Sequence, residues 1–80
     1  MSFMFEVFYG PPANPQREAV VTEQVAAQGG RLDCREMGDQ LGRGAICLTF
    51  EFDDFDAARK AADRLRQQGE HVEGPFDYGS

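Results

Sequence analysis

His71 is the chain's only histidine, and Glu73 stands two residues after it. On an extended segment that spacing puts both side chains on one face. An imidazole beside a carboxylate is a general acid–base pair that can work near neutral pH. If the first strand lies alongside, Glu6 joins them, so a small-molecule site or a small cofactor-free enzyme built on His71 and Glu6 is one reading. His71, Glu73, Glu6 and Glu51 could also gather as a carboxylate-rich metal site. No spacing demands one, and neither a metal nor a cofactor is expected. A single histidine near the end of a short edge strand is otherwise an exposed surface residue, and no catalytic residue is assigned. Cys34 and Cys47 are too few for a thiolate zinc centre, which takes four ligands at close spacing. They are expected to be free, buried thiols acting as small apolar groups.

Two loops invite a phosphate or carboxylate reading. Gly38 to Gly44 is rich in glycine, but it lacks the P-loop spacing and leads into a strand, not a helix. Gly10-Pro11-Pro12-Ala13-Asn14 leads to a helix N-terminus, which can accept an anion. The plainer expectation is a turn followed by a cap.

The elements that would position these groups follow from periodicity. Residues 2–9 are β-formers, with Phe3, Phe5, Val7 and Tyr9 on one parity and Met4, Glu6 and Phe8 on the other. Asn14 as cap and Pro15 at the first helical position open a helix to about Gln28, with Val20, Val21, Val25 and Ala26 as its apolar face. Residues 31–37 alternate as a charged edge strand, with Leu32 and Cys34 inward. Residues 45–52 place Ile46, Leu48, Phe50 and Phe52 in the core. Asp53 or Asp54 caps a second helix through Gln68, carrying Phe55, Ala58, Ala62 and Leu65 at helical spacing. Its outer face mixes Arg59, Lys60, Arg64 and Arg66 with Asp54, Asp56 and Asp63, which is ordinary surface chemistry. Residues 70–73 give a short last strand, and 74–80 an irregular tail.

The order β-α-β-β-α-β, with right-handed crossovers, resembles the ferredoxin-like superfold over nearly all of the chain. That resemblance implies an α+β two-layer sandwich, with an antiparallel sheet in strand order 4-1-3-2 and both helices on one face. It carries no single activity. Small dimeric isomerases and cofactor-free oxygenases of that superfold use groups comparable to His71 and Glu6. The second face of the sheet is left bare. Strand parity assigns to it Met4, Glu6 and Phe8; Cys47, Thr49 and Glu51; Asp33, Arg35 and Met37; and His71 with Glu73. Met4, Phe8, Met37 and Cys47 make this face more apolar than solvent requires, which marks a contact surface. Folding back of the tail, through Phe76 and Tyr78, is the competing way to cover it.

Two narrower resemblances come from local segments. Arg43 to Phe50 is similar to the RNP1 signature of RNA-recognition motifs in its Arg-Gly start, its aliphatics and its final Phe. Ala45 and Cys47 stand where base-stacking rings belong, and the first strand offers only Met4 or Glu6 there. Single-strand binding draws on such rings. The chain also resembles ACT-type modules in length and strand order, which implies dimerisation and an effector near residues 10–14. Prolines stiffen that loop here.

Composition agrees with an interaction module. The 80 residues carry 14 acidic against 8 basic groups, a net charge of −6. That field repels nucleic acid and anionic membrane. No apolar run reaches membrane-spanning length. The N-terminal residues lack a basic region and a cleavage site, so a cytoplasmic location is expected. One domain of this size has a marginal core. The expectation is a non-enzymatic interaction or regulatory module that homodimerises through the bare face or the edges of the sheet, with a protein partner as the other occupant.

Overall fold

The computed structural model describes residues 2–10, 14–36 and 46–77. Four strands form, β1 (Phe3–Tyr9), β2 (Arg31–Glu36), β3 (Ile46–Phe52) and β4 (His71–Asp77), with helices α1 (Pro15–Ala27) and α2 (Phe55–Gln67) between them. The sheet order is β2-β3-β1-β4, every pairing is antiparallel, and the expected 4-1-3-2 order is the same sheet read from its other edge. This is a ferredoxin-like α+β sandwich.

Local chemistry sets the helix ends. Asn14 Oδ1 accepts from the Arg17 amide at 3.1 Å, and Asp54 Oδ2 from the Ala57 amide at 2.8 Å. Each side chain satisfies a backbone donor that the first turn leaves open. Both helices close with the same pair of bonds. Gly29 donates to Ala26 O and Gly30 to Val25 O; Gly69 donates to Arg66 O and Glu70 to Leu65 O. Neither helix is long and apolar enough to cross a membrane.

The core lies between the helices and one sheet face. Phe5 and Val7 of β1, Leu48, Phe50 and Phe52 of β3, and Val72 of β4 meet Val21 and Val25 of α1 and Ala58, Ala61, Ala62 and Leu65 of α2. The Phe5 ring packs against those of Phe50 and Phe52, with centroids 5.7 and 5.5 Å away. The apolar face of α1 is narrower than expected. Val20 is 51% exposed and Ala26 is exposed, because only the i, i+4 pair Val21 and Val25 points at the sheet.

Two departures reshape the sheet edges. β4 runs to Asp77 and takes in residues expected as irregular tail, with Met4 paired to Phe76 and Phe3 to Asp77. A bulge makes this possible: Gly74 and Pro75 together occupy the space opposite Phe5. Gly74 has φ +112°, and a Cβ there would lie 3.0 Å from Met4 O and 3.1 Å from Phe5 Cα. Only glycine fits so close to the neighbouring backbone. Arg66 of α2 donates to Val72 O at 3.1 Å and Gly74 O at 2.8 Å, tying the helix to this strand. The second departure is a shift in β2 between Leu32 and Cys34, which reverses the parity of the rest of that strand.

Candidate functional site: the bare face of the sheet

Directly paired residues of an antiparallel sheet share a face, so the register maps the side that no described helix covers. It reads in three rows from β2 to β4. The first row is Glu36, Cys47, Phe8 and His71. The second is Cys34, Thr49, Glu6 and Glu73. The third is Arg31, Glu51, Met4 and Phe76. The expected residues Met4, Glu6, Phe8, Cys47, Thr49, Glu51, His71 and Glu73 all stand on it.

Arg35 does not. The β2 bulge pairs it with Leu48, on the helix side, where its guanidinium donates to both carboxylate oxygens of Glu18 at 2.6 and 3.1 Å. Asp33 is the extra residue of the bulge. Cys34, expected in the core, is exposed and faces outward opposite Thr49. Alternation alone could not show this, because an inserted residue leaves the sequence pattern looking regular. Phe76 reaches the face as part of β4, paired with Met4 and 43% exposed, and not through a folded-back tail. Met37, Tyr78, the Gly38 to Gly44 loop and the start of the RNP1-like segment lie outside the described residues.

The rows differ in chemistry. In the first, the rings of Phe8 and His71 meet edge to face with centroids 5.7 Å apart. In the third, Glu51 accepts from the Ser2 hydroxyl and sits 2.8 Å from Arg31, whose guanidinium also reaches Asp53 at 3.2 Å. The Ser2 hydrogen bond, followed by the Arg31 charge, holds the Glu51 carboxyl below its usual range. In the middle row Glu6 and Glu73 are direct cross-strand partners. The Cys47 thiol donates to Glu6 at 3.7 Å and His71 Nε2 lies 3.2 Å from Glu73. Burial pushes the Cys47 thiol up, which favours the protonated thiol that donates to Glu6.

His71 therefore pairs with Glu73, while Glu6, opposite Glu73, accepts from Cys47, and the side chains of His71 and Glu73 are more than half exposed. Among the described residues no three His, Cys, Asp or Glu side chains converge as a metal site.

A concavity of about 350 Å³ opens beside the first row, where Phe8, Tyr9, Asn14, Arg17, Glu70 and His71 meet. Arg17 lies 2.7 Å from Glu70, whose side chain is only 6% exposed, and its guanidinium sits over the Tyr9 ring at 5.9 Å. The Tyr9 hydroxyl is buried and has no hydrogen-bond partner among the described residues. Burial, then the Glu70 and Glu18 charges, push it up to about 12. No sequence signal joined Arg17 to Glu70, which are 53 positions apart. The chemistry here is largely satisfied from within. Glu70 neutralises Arg17, Asn14 occupies the Arg17 amide, and Pro15 has no N–H to offer, so the α1 N-terminus makes a poor anion cradle. Glu6, the other half of the expected ligand site, does not line it. No protein-family model, curated protein or solved structure matches this chain, so its function is read from its own residues.

Proposed function

We propose that this chain is a non-enzymatic interaction module that docks a protein partner through the bare face of its sheet. The carrying observation is the placement of Phe8, Met4 and Phe76 outward, on strands whose opposite side supplies Phe5, Val7 and Val72 to the core. Three large apolar side chains on a small acidic domain are not needed for its core, and outward aromatic groups are what interfaces bury. The His71–Glu73 pair stands on an open edge strand with both side chains more than half exposed, and Glu6 does not line the nearby concavity, which supports binding over catalysis.

The test compares the wild type with Phe8→Glu as baits for affinity capture, with light scattering on each alone. Phe8→Glu should keep its far-UV circular dichroism and lose the associated species, whether a second copy or another protein. Identical associations for the two baits would overturn the reading.

A further inference from the structure

The middle row separates two kinds of occupant. Glu6 and Glu73 face each other across β1 and β4, with Cβ atoms about 4.5–5.5 Å apart in such a pair, and like charges so placed destabilise a sheet. Among the described residues no cation of this face is spare for them. Arg31 is held by Glu51 and Asp53, and Arg35 has turned to the helix side to meet Glu18. His71 lends a charge only when protonated. On one side of the acidic pair lie Phe8 and Cys47, on the other Met4 and Phe76. Along β1 the sequence of outward groups is thus apolar, acidic, apolar at Phe8, Glu6 and Met4, in steps of about 6.6–6.8 Å.

We infer, resting on the docking role proposed for this face, that its occupant is a basic protein surface presenting a Lys or Arg between two apolar side chains. A second copy of this chain does not fit that description. Stacked face to face, two copies would add Glu6, Glu36 and Glu73 of each to those of the other, between chains that each carry a net charge of −6. A basic partner relieves the Glu6–Glu73 repulsion, and the chain's acidic field raises its encounter rate. The apolar side chains on both sides of the row call for more than a free cation, because only an occupant with apolar surface of its own would cover Phe8 and Met4 together.

A charge-reversed copy of the protein supplies the probe. In Glu6→Lys/Glu73→Lys the same face carries a basic row between the same apolar ends. The wild type and the reversed copy should each be monomeric alone at about 0.5 mM, and an equimolar mixture should form a heterodimer at least about tenfold tighter than either self-association, by light scattering and sedimentation. Raising salt from about 0.05 to 0.5 M should weaken it, and Phe8→Glu in either copy should abolish it. If the reversed copy does not fold by circular dichroism, Glu73→Lys alone replaces it, since that side chain is more than half exposed on an edge strand.

The opposing outcomes separate. Dimerisation of the wild type alone, broken by Phe8→Glu, would overturn the basic occupant and leave the docking face standing. A mixture that stays monomeric would also overturn the basic occupant. Heterodimers indifferent to Phe8→Glu would overturn the docking face as well.

Discussion

The two faces of this sheet are built from the same four strands and obey opposite rules. On the covered face the central strands contribute Phe5, Val7, Leu48, Phe50 and Phe52, and Val72 extends that surface onto β4. On the bare face every row mixes types: a ring beside a thiol and an imidazole, then an acidic pair, then Met4 and Phe76 beside an ion pair. A core needs only volume and apolarity, and any polar group there would need a partner. The bare face tolerates Glu6 against Glu73, a placement that stability alone does not favour. Destabilising pairs of this kind are the ones a binding surface has reason to keep.

The largest contrast is in stability. Phe50→Ala empties a fully buried ring site beside Phe5 and should cost about 3–5 kcal/mol, a large share of what a domain of this size has to lose. Phe8→Ala removes a ring that is only partly covered and should cost less than half as much. Urea unfolding followed by circular dichroism measures both. Equal losses would mean that the bare face is a second core, and the distinction between the faces would fail.

The covered face was legible in the residues because alternation over β1 and β3 is unbroken: Phe5 and Val7, then Leu48, Phe50 and Phe52, fall on one parity and nothing interrupts it. The β-α-β-β-α-β order and the strand order followed from that. The bare face was legible on the central strands, through Met4, Glu6, Phe8, Cys47, Thr49 and Glu51, and on the first half of β4, through His71 and Glu73. Beyond the edge bulges the reading failed for a definite cause. Each edge strand holds a bulge, at Leu32/Cys34 in β2 and at Gly74-Pro75 in β4, and one inserted residue exchanges the two faces for everything beyond it. Arg35 and Cys34 traded places in this way, and Phe76 entered the sheet. Arg17 with Glu70 had no local signature at all, since tertiary packing alone brings a helix residue to the α2–β4 turn.

Acid should draw a smaller response from both faces. Glu18 lies on the covered side and is held below the ordinary carboxylate value of 4.5 by the hydrogen bond from Arg35. Glu51 lies on the bare side and is held below it by Ser2 and then Arg31. A depressed folded-state pKa means that the unfolded chain takes up the proton first as pH falls. The stabilisation is therefore complete above the ordinary value and is lost as pH drops through the lower folded one. Stability should decline from about pH 5 toward pH 3. Arg35→Ala should flatten the part due to the covered side and Ser2→Ala the part due to the bare side. Thermal melts at stepped pH would show it; a decline untouched by both variants would place the acid sensitivity elsewhere.

The smallest effect is the most telling, because its sign separates the faces. Glu6→Gln keeps the shape and hydrogen-bonding reach of the side chain while removing one charge of the cross-strand pair with Glu73. On the covered face a change at a buried position is expected to destabilise. Here the variant should be more stable than the wild type, by a few tenths of a kcal/mol up to about 1 at low ionic strength, shrinking as salt is added. The same substitution should weaken the heterodimer with the charge-reversed copy. A gain in stability joined to a loss of binding is what a surface kept for a basic partner must show. A loss of stability in Glu6→Gln would instead make Glu6, through its contact with Cys47, a structural element of the sheet.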